Sequence, residues 1–372
     1  MHIGVPKEIK VHEYRVGLTP ASVREAVGAG HTVTVQHNAG HEIGFDDADY
    51  EAAGAKIAPD AKAVFDAAEM IVKVKEPQAA ERKMLRDGQI LFTYLHLAPD
   101  PEQTKDLVES GAICIAYETV TDARGGLPLL APMSEVAGRM SIQAGAHCLE
   151  MEGGGRGMLL GGVPGVPAAR VVIIGGGVVG TNAARMAMGL EAHVTVIDRS
   201  IARLAELDMH YGVKLNTVYS TATAIEEYVL GADLVIGAVL VPGASAPKLV
   251  TEDMVRKMKR GSVIVDVAID QGGMCETAHA TTHAEPTYKV HEVVHYCVAN
   301  MPGGVARTST FALNNATLPF TLAIANNGYR AALGRDPHLR AGLNVHKGKV
   351  TYKAVAEALG YHYVPAEAEL GL

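Results

Sequence analysis

A glycine-rich turn in the middle of the chain limits the possible folds more than any other feature. The stretch RVVIIGGGVVGTNAARMAMGLEAHVTVID places Gly175, Gly177 and Gly180 in the spacing G-x-G-x-x-G, between a strand-like run and a helix-like run. In such a turn the first glycine permits a tight bend, the second lets a pyrophosphate approach the backbone, and the third lets the helix pack against the strand. The phosphates then bind at the helix N-terminus. This context predicts a dinucleotide-binding Rossmann fold, whereas the glycines alone would be compatible with an ordinary surface turn.

An acidic residue ends the next strand-like run. Asp198 lies 23 residues after Gly175. A carboxylate at this position accepts hydrogen bonds from ribose hydroxyls and repels a 2'-phosphate, which favours NAD over NADP. Arg199 and Arg203 are evidence against this preference for NAD, since either could bind the 2'-phosphate of NADP.

Strand-like and helix-like segments alternate along most of the chain. The 372 residues suffice for two domains. Apolar runs at 31–36, 69–75, 90–95 and 112–117 belong to a first set of strands, and VVIIG, HVTVID, DLVIGAV and SVIVDVAID form a second set. This alternation is typical of parallel sheets covered by helices on both faces. We therefore predict an α/β fold with two doubly wound parallel-sheet domains, the coenzyme domain a Rossmann fold, joined by long helices.

The composition excludes several classes of partner. The net charge of -8 and the absence of a basic block argue against nucleic acid. The N-terminus lacks an apolar signal region, and the most apolar window, 158–180, is interrupted by Pro164, Pro167 and Arg170, so we expect no membrane partner. The four cysteines are widely spaced and form no C-x-x-C, which favours a reduced, cytoplasmic chain without a structural metal.

Three ionisable residues stand where strand-like runs end. His96 follows ILFTYL, Lys75 ends EMIVKVK, and Asp270 ends SVIVDVAID. Ligands of open α/β sheets bind beyond the carboxyl ends of the strands, so these side chains are candidates for a site. Each also has an ordinary explanation. The histidine could be a surface or core residue, Lys73 and Lys75 could form a solvated edge, and Asp270, like Asp266, could be a cap or turn residue.

The ionisable set fits the oxidation of a small amino or hydroxy acid. A substrate carboxylate is bound well by a guanidinium, such as that of Arg15, because the paired hydrogen bonds fix its orientation. The proton that leaves as hydride departs needs a group that titrates near neutrality, such as His96. The ordinary alternative for Arg15 is a surface ion pair with Glu13 or Glu8.

Along essentially its whole length the sequence resembles the NAD-dependent L-alanine dehydrogenases. The shared segments occur in a fixed order, which makes the match more specific than the glycine motif. They are IGVPKEIK, EYRVGLTP, MIVKVKEP, ILFTYLHLA, IAYETV, LPLLAPMSEVAGRM, GGRGMLLGGVPGV, LVIGAVLVPGA, DVAIDQGG, YCVANMPG and RTSTFALNNATLP.

The resemblance implies an activity and a role for each matching residue. It implies reversible, NAD-dependent oxidative deamination of L-alanine to pyruvate and ammonium in a homohexamer. Residues 1–128 and 307–372 would form a substrate domain, and residues 129–306 the NAD-binding domain. Arg15 and Lys75 would hold the substrate, while His96 and Asp270 would be the acid/base residues. The implied NAD contacts are Ser134, Gly175, Gly177, Val178, Val179, Gly180, Asp198, Arg203, Ser220, Val239, Leu240, Val267, Asp270, Val298, Asn300 and Met301.

Two other functions are compatible with parts of this pattern. The nucleotide-binding part of a proton-translocating transhydrogenase is similar at VPKE, at the glycine loop and in domain order, but that group lacks the histidine of TYLHLA. A catalytically silent NAD-binding protein would lack at least one of Arg15, Lys75, His96 and Asp270, and all four are present.

Overall fold

A computed structural model describes residues 1–239 and 246–372 of the chain. The chain folds into two compact units. The first comprises Met1–Met133 and Gly303–Leu372, and the second comprises Ser134–Pro302. The domain boundaries predicted from the sequence lie at 128/129 and at 306/307.

The secondary structure alternates strands and helices as the apolar pattern predicts. The strands in the described residues are β1 His2–Val5, β2 Thr32–Gln36, β3 Lys56–Ala58, β4 Met70–Val72, β5 Ile90–Thr93, β6 Ile113–Ala116, β7 Arg170–Ile174, β8 His193–Asp198, β9 Leu215–Tyr219, β10 Leu234–Gly237, β11 Val263–Asp266, β12 Thr287–Val290, β13 Val293–Tyr296, β14 Leu343–His346 and β15 Lys349–Val350.

Helices connect most of these strands. The α-helices are α1 Pro20–Gly28, α2 Asp47–Ala52, α3 Ala61–Ala67, α4 Ala79–Arg82, α5 Pro101–Ser110, α6 Ala131–Leu149, α7 Val178–Gly189, α8 Ile201–Tyr211, α9 Ala222–Gly231, α10 Glu252–Lys257, α11 Ala306–Asn327, α12 Tyr329–Arg335, α13 Pro337–Arg340, α14 Lys353–Leu359 and α15 Ala366–Leu370. Short 3-10 helices are His41–Ile43, Tyr117–Thr119, Gly212–Lys214, Val267–Gln271 and Met301–Val305.

The first unit contains an eight-stranded sheet in the order β15-β14-β6-β5-β4-β1-β2-β3. Strands β1 to β6 run parallel, so their carboxyl ends lie along one edge. The C-terminal strand β14 pairs antiparallel with β6, which brings the end of the chain back to this sheet. Lys75 and His96 therefore follow two neighbouring strands, β4 and β5.

The second unit contains a seven-stranded sheet in the order β12-β13-β11-β10-β7-β8-β9. All of its strands except the edge strand β12 run parallel. The strand order reverses at β7, between β8 and β10, which is the position where such sheets bind ligands. The glycine-rich turn follows β7 and so lies at this switch point.

The core of the second unit shows why a continuous apolar run forms its central strand. Val171 and Ile173 of β7 pack into one apolar cluster, while Val172 and Ile174 pack into another. Successive side chains of a strand point to opposite faces, so a strand covered on both sides needs apolar residues at every position. The structure confirms the predicted α/β fold class.

Some strand boundaries differ from the predicted ones. Strand β4 ends at Val72 rather than at Lys75, because the Val74 N–H donates to the Glu8 carboxylate at 2.7 Å instead of continuing the strand. Strand β11 ends at Asp266 and a 3-10 helix follows, so Asp270 lies in that helix and does not end the strand. No strand was predicted at β1, β3, β9 or β12 to β15.

Candidate active site

The glycine-rich turn of the second unit can only be built from glycine at two of its positions. Gly175 has a φ of +105°, and a Cβ atom there would lie 2.6 Å from the Ala238 carbonyl oxygen. A Cβ atom on Gly180 would lie 1.8 Å from the Gly175 carbonyl oxygen. Both distances are too short for any side chain, so the loop, β10 and the first turn of α7 pack backbone against backbone.

Gly177 has a different reason to lack a side chain. Among the described residues other than its chain neighbours, no atom lies within 4 Å of the position that its Cβ would take, so those residues leave the space above it open. Gly177 is the N-cap residue of the twelve-residue helix α7, which begins with Val178 and Val179. The first N–H groups of a helix have no intrahelical acceptor and, with the helix dipole, favour an anion. The open space and these donors fit the pyrophosphate of a dinucleotide.

Asp198 supports the glycine turn directly. Its Oδ2 accepts a hydrogen bond from the Gly176 N–H at 2.7 Å, and its Oδ1 accepts one from the Ser200 N–H at 2.8 Å. The carboxylate therefore lies beside the turn, at the end of β8, as a ribose-binding group of a dinucleotide site should. Ser220 follows the adjacent strand β9, and its N–H donates to the Asp198 carbonyl oxygen at 3.0 Å.

Arg203 is held by the protein around the same turn. Its Nε donates to the Gly176 carbonyl oxygen at 2.7 Å and its Nη2 donates to Thr181 Oγ1 at 2.7 Å. Its Nη1 donates to Glu206 at 2.6 Å. A 2'-phosphate would have to compete with these acceptors for Arg203, whereas Arg199 is exposed.

The other predicted coenzyme residues also lie in the second unit. Val239, Val267 and Val298 follow the parallel strands β10, β11 and β13, at the same edge as the glycine turn. The side chains of Val298 and Met301 are buried in the core of the unit. Ser134 and Asn300 complete the set, and Asn300 has a φ of +65°. Leu240 lies outside the described residues.

Two aspartates near the end of β11 have different environments. Asp266 is fully buried, and its carboxylate accepts hydrogen bonds from the backbone N–H groups of Ala268, Met274 and Cys275. Burial raises the pKa of the Asp266 carboxyl. Asp270, one turn further on, is exposed. Asp266 is thus the capping residue of this pair, and the Asp270 carboxylate is accessible to a ligand.

In the first unit, the structure brings Lys75 and His96 to adjacent strand ends. Thr93 Oγ1 donates to the Lys75 carbonyl oxygen at 2.9 Å. The Tyr94 N–H donates to the Val74 carbonyl oxygen at 3.2 Å. The imidazole of His96 stacks on the Tyr94 ring at a centroid distance of 5.8 Å, and its side chain is 45% exposed. The imidazole is therefore both held on one face and open to a ligand.

Lys73 is not part of a solvated edge, which corrects one of the explanations considered above. It is fully buried, and its ammonium donates to Glu8 at 3.0 Å and to Glu81 at 2.7 Å. The second Glu8 oxygen accepts from the N–H groups of Val74 and, at 3.4 Å, of Lys75. The cluster of Glu8, Lys73 and Glu81 thus fixes the segment that carries Lys75.

This cluster also shifts the titration of Glu8. Burial, with the nearby charges of Glu81 and Glu13, raises the pKa of the Glu8 carboxyl to about 7, although the Lys73 ammonium opposes the shift. Nothing in the sequence indicated this cluster, because its members come from three separate segments.

Arg15 forms the ion pair with Glu13 that was considered as its ordinary explanation, but the pair is buried rather than on the surface. The guanidinium is 2% exposed and donates through Nε and Nη2 to both oxygens of Glu13, at 2.6 and 2.5 Å. Its Nη1 lies 3.0 Å from Met133 Sδ. Burial raises the pKa of the Tyr94 hydroxyl, and the Arg15 charge opposes this shift.

Two descriptions of one protein family match most of the chain. Residues 4–137 match the family description "Alanine dehydrogenase/PNT, N-terminal domain", and residues 141–353 match "Alanine dehydrogenase/PNT, C-terminal domain". The chain belongs to the alanine dehydrogenase/PNT family. This confirms the resemblance inferred from the motifs.

Individual members of the alanine dehydrogenase/PNT family match with high coverage. The alanine dehydrogenase of Halomonas elongata is 65% identical over 371 residues, which cover 100% of both chains. A solved L-alanine dehydrogenase superposes with a TM-score of 0.94 at 53% identity, covering 97% of this chain and 99% of the other. A transhydrogenase from Sinorhizobium meliloti has a TM-score of 0.82 at 25% identity, covering 95% and 100%. No helix in the described residues is long and apolar enough to cross a membrane.

Proposed function

We propose that this chain is an L-alanine dehydrogenase, which oxidises L-alanine to pyruvate and ammonium and catalyses the reverse reaction. The observation that carries the proposal is the 65% identity to an alanine dehydrogenase over the full length of both chains. The four ionisable residues expected of such an enzyme, Arg15, Lys75, His96 and Asp270, are all present.

The first unit is proposed to bind the substrate. Arg15 is a cation held by Glu13 next to Met133, and the backbone of Lys75 is held by the buried Glu8 cluster. A guanidinium donates charge-assisted hydrogen bonds to a carboxylate, and an ammonium attracts the electrons of a carbonyl group. We therefore assign the substrate carboxylate to Arg15 and Lys75, and polarisation of the pyruvate carbonyl to Lys75.

His96 and Asp270 are proposed as the acid/base residues. Loss of hydride from the α-carbon of alanine leaves an imine, which must gain water and release ammonium. Each of these steps moves a proton, and a positioned imidazole or carboxylate speeds such transfers by about 10² to 10⁴-fold. The exposed His96 ring and the exposed Asp270 carboxylate are both accessible for this role.

The second unit is proposed to bind NAD. NAD would supply the hydride acceptor, its nicotinamide ring. The open space above Gly177 and the start of α7 would accept the pyrophosphate. Asp198 would accept hydrogen bonds from the ribose hydroxyls, which favours NAD over NADP. The acceptors already bound to Arg203 support the same preference, since they compete with a 2'-phosphate.

We further propose that the enzyme works as a homohexamer in the cytoplasm, with small molecules as its partners. The resemblance supports the hexamer, and the acidic net charge of -8 supports the absence of a nucleic-acid partner. Light scattering on the purified chain measures the number of copies directly.

One assay tests the proposed reaction. The purified chain is mixed with NAD and with L-alanine, L-serine or glycine, and NADH is followed by absorbance; pyruvate or glyoxylate with ammonium and NADH tests the reverse direction. L-alanine and pyruvate should give the highest kcat/KM. A transhydrogenase part or a silent NAD-binding protein would bind NAD without forming NADH from any amino acid, and that result would refute the proposal.

A further inference from the structure

His96 has an unusual backbone conformation. Its φ is +50°, in the left-handed region that residues with a Cβ atom adopt rarely. The conformation turns the chain sharply at the end of β5 and so determines the direction in which the imidazole leaves the backbone. Such a conformation persists only where surrounding groups hold it.

The Glu118 carboxylate holds this conformation. Its Oε1 accepts a hydrogen bond from the His96 N–H at 2.6 Å, and both of its oxygens lie 3.2 Å from the Leu95 N. Gln103 donates through Nε2 to the Leu95 carbonyl oxygen at 2.6 Å. The peptide between Leu95 and His96 is thus bound on both its donor and its acceptor side.

Glu118 is itself fixed by the sheet. It lies in the 3-10 helix Tyr117–Thr119, which directly follows β6, and β6 pairs with β5 in register from Ile90 to Thr93. Its side chain is only 13% exposed. A neighbouring strand end therefore supplies the carboxylate, in the same way that Glu8, after β1, supports the segment after β4.

The carboxylate also lies near the imidazole. Glu118 Oε1 is 3.9 Å from His96 Nδ1, which is longer than a hydrogen bond but within the range of an ion pair. With Tyr94 stacked on one face of the ring, the carboxylate limits the positions that the ring can take. Glu118 thus acts on the backbone and on the ring of the same residue.

We propose that Glu118 is a positioning residue for the acid/base group His96. The inference rests on the proposed function, because it assigns Glu118 a role only if His96 transfers protons. A displacement of about 1 Å in a catalytic group can cost about 10²-fold in rate. Loss of the carboxylate should therefore lower kcat without changing the affinity for coenzyme.

Three single variants test the proposal. Glu118→Gln keeps the size of the side chain and an amide oxygen that can accept from His96 N–H, and should lower kcat for alanine oxidation about tenfold. Glu118→Ala removes every acceptor and should lower kcat about 10²-fold. The matched control is Asp336→Asn, since Asp336 also accepts hydrogen bonds from two backbone N–H groups, those of His338 and Leu339, and should leave kcat unchanged.

Binding of NADH, measured by fluorescence, separates positioning from general damage to the fold. We expect the dissociation constant of Glu118→Gln to stay within about twofold of the wild-type value, since its coenzyme residues are untouched. If Glu118→Ala does not fold, the result for Glu118→Gln alone tests the positioning role of Glu118. Wild-type kcat in Glu118→Gln, or a fall in NADH affinity equal to the fall in kcat, would overturn the proposal.

A double variant shows whether Glu118 acts through His96. In a His96→Ala background, Glu118→Gln should change the residual kcat by less than about twofold, because the group that it positions is gone. An undiminished tenfold loss in that background would overturn the proposal. If His96→Ala alone kept wild-type kcat, the proposed acid/base role of His96 would fail instead, so the two failures are distinguishable.

Discussion

At the scale of single residues, two carboxylates with little solvent exposure, Glu8 and Glu118, fix the backbone of the candidate substrate site. Glu8 and Glu118 each accept backbone hydrogen bonds from the segment that carries a candidate catalytic or binding residue, Lys75 and His96 respectively. The sequence indicated the two functional residues because they end apolar runs. It did not indicate the carboxylates, because their contacts join segments that are far apart along the chain.

The burial of Glu8 predicts a dependence of stability on pH. Its pKa in the folded state is raised to about 7, so the folded protein holds this proton more tightly than the unfolded chain does. As pH rises, the unfolded chain loses this proton first. The free energy of unfolding therefore falls between about pH 4.5 and 7, and above that range it is lower by on the order of a few kcal/mol than at low pH.

Glu8→Gln should remove this dependence. The unfolding temperature of Glu8→Gln relative to the wild type should rise as the pH is raised from 5 to 8, as measured by calorimetry. The exposed residue Glu109 gives a matched control, because Glu109→Gln removes a carboxylate that is 64% exposed and should show no such trend. A constant difference between Glu8→Gln and the wild type across this range would contradict the assignment.

At the scale of secondary-structure elements, the strands were predictable where they form continuous apolar runs. Strands β7, β8, β10 and β11 appear in the sequence as runs rich in Val and Ile, and helix starts are marked by residues such as Thr19, which caps α1. The short strands β1 and β3 carry too few apolar residues for a clear pattern. The predicted end of β4 was wrong because the strand is terminated by Glu8, a residue more than sixty positions away, which accepts the Val74 N–H.

The glycine turn gives a prediction at this scale. Gly177→Ala places its methyl group in open space, so the protein should fold normally, but the methyl group would occupy the space proposed for the pyrophosphate. We expect NAD affinity to fall about tenfold or more, equivalent to at least about 1.4 kcal/mol, as measured by calorimetric titration.

Gly189 provides the control for this variant. It ends the same helix, and in the part of the chain that the structure describes a Cβ atom there also meets no atom within 4 Å beyond its own helix backbone and chain neighbours. Gly189→Ala should leave both the unfolding temperature and the affinity for NAD unchanged. Equal NAD affinity of Gly177→Ala and Gly189→Ala would show that the pyrophosphate does not bind above Gly177.

At the scale of the whole molecule, the two structural units do not correspond to two consecutive parts of the chain. The first unit is built from both ends of the chain and the second from its middle. The candidate substrate residues Arg15, Lys75 and His96 belong to the first unit, whereas the glycine turn, Asp198 and Asp270 belong to the second. The sequence motifs indicated the family and the residues, but the burial of Lys73, Arg15 and Asp266 depends on contacts that only the fold reveals.

The activity of the acid/base variants tests the central claim most directly. Alanine-dependent NADH formation and the dissociation constant of NAD are measured for the wild type, His96→Ala and Asp270→Asn. We predict that the wild type forms NADH from L-alanine, that kcat of each variant falls by about 10² to 10⁴-fold, and that both still bind NAD. Wild-type rates of alanine-dependent NADH formation in either variant would contradict the account.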